Sequence, residues 1–435
     1  MLPNAQNELL CRVEGEAAMG QLMRRHWLPI CLSEEVAEKD GAPVRARLLG
    51  EDLVVFKDTN GRIGVLDEHC PHRGASLVFG RNEECGLRCL YHGWKFDVDG
   101  NCLEMNSEPG GGAEPVRKAM RTKAYPAREG GGFVWVWMGP KEQMREFEPP
   151  AWAPVPGIRY AVVKMHAACN WAQVLEGSID SAHSSSLHST EMPAAQVDSA
   201  KATGKVWPRP SNDKAPKMQF EPTPYGFRYA ALRKPIRDSE KNIYVRTTLF
   251  VAPFTVLIPP NNQYKLAQML VPIDDVNTMF YWIAWHPDPS KGITQDAWRK
   301  FCGATVGEDI NPDFTKKRTL QNRYLQDRAA MKKGDFTGIK GIPTQDMAMW
   351  ESMGAIVDRS RDHPGSSDMA VVQFRRMMLG AVKKFQESGA VIGAGKDRIP
   401  HVQLASFEGV VPKATDWRTL GIRAAASSPT AESAA

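Results

Sequence analysis

Cys70-Pro71-His72-Arg73-Gly74-Ala75 and Cys89-Leu90-Tyr91-His92-Gly93-Trp94-Lys95-Phe96 are the stretches on which the fold turns. Each sets a thiol close to an imidazole beside a glycine, and the two lie a short way apart in the chain. Two facing loops of this kind offer two thiolates and two imidazoles. That set suits a tetrahedral Zn²⁺, or a [2Fe–2S] cluster with both sulfurs on one iron and both nitrogens on the other. Around the loops the chain reads as antiparallel strands. VRARLLG and EDLVVFKD lead to Thr59-Asn60-Gly61 and RIGVLD, and Asn-Gly between β-rich runs marks a hairpin. The pattern continues through LRCLYHGWKFD and the turn Asp99-Gly100 to GGFVWVWMGP at 131–140.

A second constellation lies in residues 170–188, where Asp180, His183 and His188 follow Asn170-Trp171 and Glu176-Gly177. On a regular helix Asp180 and His183 would sit about 60° apart, but His183 and His188 about 140° apart. Both imidazoles can reach one metal only if the turn between them is distorted, and Ser184-Ser185-Ser186 is a stretch of small residues with poor helix propensity. Two imidazoles and a carboxylate on one face of Fe(II) leave positions open for O₂ and substrate.

Composition sets the frame. The chain has 435 residues, 42% hydrophobic and 24% charged, with 55 basic and 50 acidic side chains giving a net charge of +5. That length implies two or three domains with their own cores, and the charge is too mild for a nucleic-acid binder. Of eight cysteines, Cys70, Cys85, Cys89 and Cys102 are grouped, while Cys11, Cys31, Cys169 and Cys302 are scattered. Cys85 and Cys102 are read as packing residues. Glu8, Glu14 and Glu16 interrupt the start, and no run approaches 18 apolar residues. Neither export nor a membrane span is expected, which places the chain in a reducing cytoplasm where grouped Cys and His serve metals rather than disulfides.

The two loop motifs, with their flanks over residues 45–140, resemble the Rieske cluster motif of ring-hydroxylating oxygenases. Ala75 and Tyr91 stand where respiratory Rieske proteins carry two further cysteines, which points to the oxygenase branch. The Asp-x2-His-x4-His run resembles the mononuclear iron motif of the same family. The resemblance implies a [2Fe–2S] cluster on Cys70, His72, Cys89 and His92, and Fe(II) on His183 and His188. Asp180 matches the bridging acid that links an iron-ligand histidine to a cluster histidine of the neighbouring subunit. The third iron ligand is expected in Gln345-Asp346-Met347-Ala348-Met349-Trp350-Glu351, with Asp346 the matching residue and Glu351 the fallback. A first-turn position would also give Asp346 a favourable place in the helix dipole.

Over the whole chain the resemblance is to the phthalate dioxygenase branch, through LLGEDLVVF, the WPRPS segment and DRSRDHPGSSD at 358–368. It implies an α+β protein. A helical lead-in over 1–40 packs on the catalytic domain, an all-β Rieske domain occupies 41–150, and a catalytic domain of helix-grip type, an antiparallel sheet with flanking helices, occupies 151–423. Residues 424–435 read as a disordered tail. Helices are expected over 344–358 and 368–387, and a basic helix over 314–333 whose charges read as a solvated face, with docking of an acidic electron donor as the other use.

Family members act on aryl carboxylates, and an anion in a buried pocket calls for arginine. Arg246, on the same strand face as Tyr244 and Phe250, and Arg209, between two prolines, are candidate clamps, with Ser184 as a hydroxyl donor. The implied activity is cis-dihydroxylation of a phthalate-like acid, with monooxygenation or O-demethylation of a substituted benzoate as the alternative. The chain has no glycine-rich nucleotide fingerprint. The resemblance implies that electrons come from NADH through a separate reductase carrying flavin and a [2Fe–2S] cluster, and that the chain assembles as a homotrimer or stacked homohexamer.

Overall fold

Asn60 and Gly61, the latter at φ +82°, reverse the chain between Glu51–Lys57 and Ile63–Asp67, and Val44–Leu48 completes this three-stranded meander. These strands belong to a computed structural model that describes residues 1–153, 157–200, 206–260, 264–394 and 399–421. The tail expected at 424–435 lies outside the described residues. A four-stranded sheet, Arg81–Glu83, Gly86–Arg88, Trp94–Phe96 and Cys102–Met105, stands beside the meander. Val54, Phe56, Leu66, Leu77, Leu87 and Phe96 fill the space between them, with Cys70 and Cys89 in the same core. This is the small all-β unit.

The larger unit is built on an eight-stranded antiparallel sheet. Tyr160–Ala167, Thr278–Trp285, Lys265–Pro272, Thr255–Leu257, Asn242–Val251, Gly226–Arg233 and Lys217–Thr223 follow one another across it, and Phe407–Pro412 also pairs with Asn242–Val251. The helix Trp171–Ile179 packs on the strands Lys265–Pro272 and Thr255–Leu257. Asn170 caps that helix, accepting from Ala172 N at 3.0 Å, while its amide donates to the carbonyls of Cys11 and Asp275. The 20-residue helix Met369–Ser388 packs on Trp171–Ile179 and on the N-terminal helices Asn4–Cys11 and Ala18–Met23. The architecture is α+β, with an all-β unit ahead of an antiparallel sheet flanked by helices.

Several local expectations need correction. The lead-in is helical only to Met23. Trp27–Leu32 is a strand paired with Phe133–Trp137, and a register shift between Pro29 and Cys31 accommodates the missing proline N–H. Its buried side chains join the core of the larger unit, as expected of a lead-in packed there, and Leu48, Leu53, Val55, Val65 and Phe133 from beyond residue 40 belong to the same core. The basic helix over 314–333 does not form. The chain makes a 3₁₀ turn at Leu320–Leu325 and a short helix at Arg328–Lys332, with Phe314, Arg323, Tyr324 and Leu325 at positive φ. Tertiary pairing overrides propensity here. Lys316 is buried against Glu351 at 2.6 Å, Arg318 pairs with Asp309 at 3.0 Å, and Asp327 caps a fresh helix start. The basic residues are thus not one solvated face. Cys85 is half-buried in a hairpin turn at φ +63°, where Asn60 Nδ2 meets its sulfur at 3.2 Å, whereas Cys102 is buried.

Candidate active site

The two cluster loops are built alike. In the first, Gly74 N donates to Cys70 O at 2.8 Å and Cys70 N to Ala75 O at 2.9 Å. In the second, Gly93 N donates to Cys89 O at 3.0 Å and Cys89 N to Trp94 O at 2.8 Å. Both glycines take φ +73°, the left-handed conformation that a side chain disfavours. Each loop turns its thiol inward and leaves its imidazole at the rim. Cys70 and Cys89 are buried, and burial pushes the Cys70 thiol up to about 11, with the neighbouring Cys89 adding to the effect. The rings of His72 and His92 lie 4.4 Å apart, and His72 stacks on Trp94 at 4.4 Å with an 8° interplanar angle. The second loop's tip is open: Leu90 and Tyr91 are 60% and 57% exposed, and the Tyr91 ring lies 3.9 Å from that of His92. All eight cysteines are free thiols, so the loops are not tied by a disulfide.

The second site forms where two helices meet. Trp171–Ile179 ends at Asp180, whose extended φ and ψ break the helix, and His183–Ser185 makes a separate 3₁₀ turn. That 3₁₀ turn and the irregular Ser186 after it lie between the histidines and bring the rings of His183 and His188 to 5.1 Å, which a continuous helix would have prevented. The helix Ile342–Ser352 delivers Asp346. It begins at Ile342, so Asp346 stands past the first turn, and its environment is set by the two imidazoles rather than by the helix terminus. Asp346 Oδ1 lies 3.4 Å from His183 Nε2 and 2.9 Å from His188 Nε2, yet this buried oxygen accepts a hydrogen bond from neither. One donor atom from each of the three residues falls within 4.8 Å of the others. Glu351, the fallback carboxylate, points elsewhere. It accepts from Ala168 N, Lys316 and the Tyr324 hydroxyl in the core.

Electrostatics agree with a cation site. Burial works against a charged His183, but Asp180 and Asp346 outweigh it and raise His183 to about 10. Burial likewise opposes ionisation of Asp346, and the His188 and His183 imidazoles pull it down to about 2. Two carboxylates around buried imidazoles demand positive charge, and a divalent metal on the Nε2 atoms satisfies the same demand. The donors, two imidazoles and one carboxylate, are those of non-haem iron sites. Asp180 Oδ2 sits 3.5 Å from His183 Nδ1, and its Oδ1 accepts from Ala182 N at 2.7 Å. His188 Nδ1 meets Gln345 Oε1 at 2.7 Å, a contact the sequence reading does not anticipate.

A cavity opens beside the triad, walled by Asp180, Ser184, Tyr229, Arg246, Thr248 and Trp282 among others. Arg209 does not reach this wall. Its guanidinium holds Ser184 from behind, at 3.1 Å to Oγ and 3.0 Å to the carbonyl oxygen. Arg246 approaches the same hydroxyl at 3.4 Å. Arg233, which the sequence reading missed, binds the Ser181 carbonyl at 2.7 Å. Strand alternation could have found it, since Tyr229, Ala231 and Arg233 share the face on which they oppose Thr248, Arg246 and Tyr244. All three arginines are buried, and burial first, then mutual repulsion, lowers Arg209 to about 9 and Arg233 to about 10. A larger aromatic-lined cleft, bordered by Trp27, Trp135 and Phe254, has no such group of metal donors among the described residues.

Comparisons with known proteins match both units of the chain. A model of the Rieske [2Fe-2S] domain matches residues 26–123, and one described as LigXa C-terminal domain like matches 136–434. The phthalate 4,5-dioxygenase oxygenase subunit of Pseudomonas putida is 57% identical over 418 residues, covering 96% of this chain and 94% of that one. The 3-chlorobenzoate-3,4-dioxygenase oxygenase subunit of Comamonas testosteroni is 35% identical, covering 95% and 96%. The terminal oxygenase of carbazole 1,9a-dioxygenase from Nocardioides aromaticivorans IC177 shares the fold, with a TM-score of 0.54 over 87% of this chain and 97% of that one at 16% identity. The protein therefore works with a Rieske [2Fe–2S] cluster and a mononuclear iron. Its paired Cys-His loops, its two-histidine-one-carboxylate triad and this kinship together make it a member of the Rieske non-haem iron ring-hydroxylating oxygenases, on the branch of the phthalate dioxygenase oxygenase subunits.

Proposed function

We propose that this chain is the terminal oxygenase that cis-dihydroxylates an aromatic dicarboxylate of the phthalate type, using O₂ and electrons passed from NADH by a separate flavin and [2Fe–2S] reductase. The observation that carries the substrate class is the convergence of Arg209, Arg233 and Arg246, all buried, on the serines of the cavity wall. Three buried guanidiniums grouped behind one cavity wall give it a cationic character that suits an anionic substrate. Glu408 stands opposite Arg246 in the strand pairing and belongs to the same buried group. The kinship to a phthalate 4,5-dioxygenase subunit supports the same class.

In this reading Cys70, His72, Cys89 and His92 hold the cluster, and His183, His188 and Asp346 hold the iron. When bound, the iron supplies O₂ activation at its open positions. The chain's own side chains do the rest. Arg246 meets the substrate carboxylate, Arg209 fixes Ser184 so that its hydroxyl faces the cavity, and Asp180 sets the tautomer of His183. Asp180 is 21% exposed at its side chain, which leaves it accessible to a cluster histidine of a neighbouring subunit. A head-to-tail homotrimer, or stacked trimers, fits that path. A cytoplasmic location accords with eight free cysteines. Among the described residues no helix is long and apolar enough to cross a membrane.

Product analysis by mass spectrometry, after incubation with reductase, NADH, ¹⁸O₂ and a panel of phthalates and benzoates, tests the proposal. A diol carrying two labels from a phthalate is the expected result. Release of an aldehyde with one label incorporated would assign O-demethylation instead.

A further inference from the structure

His188 is gripped at both ring nitrogens by consecutive residues of one helix. Asp346 faces Nε2 at 2.9 Å, and Gln345 Oε1 meets Nδ1 at 2.7 Å. The Gln345 side chain is fully buried, and its amide nitrogen donates to Glu191 Oε1 at 2.8 Å and to the Ile339 carbonyl at 2.9 Å. Both partners are pure acceptors at neutral pH, so the nitrogen end of the amide has a single assignment. The end that meets His188 is then the oxygen, which can only accept. Nδ1 must carry the proton, and the lone pair of a neutral His188 is forced onto Nε2, the nitrogen that faces Asp346.

We propose that Gln345 is a positioning residue that fixes the tautomer and ring plane of His188, and that Glu191 holds Gln345 in the one orientation that does so. The inference rests on His188 being an iron ligand. The two imidazoles thus stand against different groups, a half-buried carboxylate 3.5 Å from His183 Nδ1 and a buried neutral amide at 2.7 Å from His188 Nδ1. Glu191 follows His188 by three residues, and Met192 N bonds to the His188 carbonyl at 2.8 Å. The route from imidazole through amide and carboxylate to the backbone of that imidazole is closed. A ring fixed in this way loses little freedom on binding metal, which is how hydrogen bonds behind a ligand raise its affinity.

The test is Fe(II) affinity of the full-length, cluster-containing protein by equilibrium dialysis, with the electron paramagnetic resonance signal of the ferrous nitrosyl adduct as the report on ligand geometry. Gln345→Leu is expected to weaken Fe(II) binding about 10–100-fold and to change the nitrosyl signal, while the visible spectrum of the cluster stays as in the parent. Glu191→Gln, whose own amide oxygen can still accept from the Gln345 nitrogen, is expected to keep affinity to within about threefold. A Gln345→Leu protein with parental affinity and signal overturns the proposal. Should that variant fail to fold, Gln345→Met, nearer in length and equally unable to accept from Nδ1–H, decides in its place, and parental affinity and signal in it overturn the proposal as well. His188→Ala separates the two levels: if it keeps its iron, the ligand assignment falls, whereas if it loses iron and Gln345→Leu does not, only the role of Gln345 falls.

Discussion

Asp346 Oδ1, buried and without a hydrogen bond between two imidazole nitrogens, is the atom on which the second site depends. Replacing Asp346 by Ala is expected to abolish mononuclear iron and product formation together while the cluster keeps its visible spectrum, as iron analysis and spectroscopy will show. Arg246 gives the substrate-side counterpart. Arg246→Ala should raise KM for a dicarboxylate by at least about 30-fold, because truncating one partner of a buried charge pair costs about 2–5 kcal/mol. Arg246→Lys should recover little, since an ammonium cannot form the paired contacts of a guanidinium; steady-state kinetics on both variants measures this. At this scale the sequence is legible where chemistry restricts the residue type. Paired Cys-His loops and Asp-His-His admit few other uses. Gln345 was not legible, because an amide beside a ligand has many ordinary uses and only the folded partners give it one, whereas Arg233 was within reach of strand alternation and was missed.

Gly177 shows what the elements must do to keep those residues in place. A methyl group there would stand 2.0 Å from Trp350 Nε1, so the helix Trp171–Ile179 and the helix carrying Asp346 touch where only glycine fits. Gly177→Ala is expected to push Trp350 away, cost about 1–3 kcal/mol in stability, and lower iron content. Thermal unfolding and metal analysis check both effects. Strands and hairpins were readable from period and turn chemistry, as Asn60-Gly61 and the 242–251 strand illustrate. The 314–333 segment was not, because its shape comes from Lys316 reaching Glu351 and Arg318 reaching Asp309, contacts across the fold that override local propensity. The turn between the two histidines lies between these cases. Their five-residue spacing required a distorted turn at Ser184–Ser186, and the 3₁₀ turn His183–Ser185 supplies it, while the helix end at Asp180, which turns back to accept from Ala182 N, was not read from the spacing.

Charge also joins the elements into one molecule. Glu176 accepts from Arg359 at 2.8 Å and from Arg375 at 2.7 and 3.1 Å, and Arg359 reaches Asn7 at 2.8 Å, so the first helix, the site helix and the long helix Met369–Ser388 share one buried network. Glu176→Ala should cost about 3–5 kcal/mol, since it takes the carboxylate from the buried Arg359 and leaves Arg375 with Asp362 alone. Burial opposes ionisation of Glu176, but the two arginines outweigh it and hold the carboxyl below its usual range. A depressed folded-state pKa means this stabilisation is complete above the ordinary glutamate pKa and is lost as pH falls below it. The parent should therefore lose stability on acidification through that window more steeply than the conservative Glu176→Gln variant, a difference that denaturant unfolding at stepped pH will reveal.

The cluster rim makes the complementary demand between molecules. Leu90 and Tyr91 are exposed beside His92, and Arg73 lies over the Tyr91 ring at 5.5 Å. An apolar rim around two imidazoles that must pass an electron suits contact with a second copy of the chain rather than water. Leu90→Glu with Tyr91→Glu leaves the buried thiols and both loop glycines untouched. It should shift the protein to a smaller oligomer by light scattering and preserve reduction of the cluster by the reductase. Product formation should fall steeply, because the electron then has no partner iron to reach. If the double variant keeps its size and its turnover, the rim is not the subunit contact, and the electron travels between the two centres within one chain.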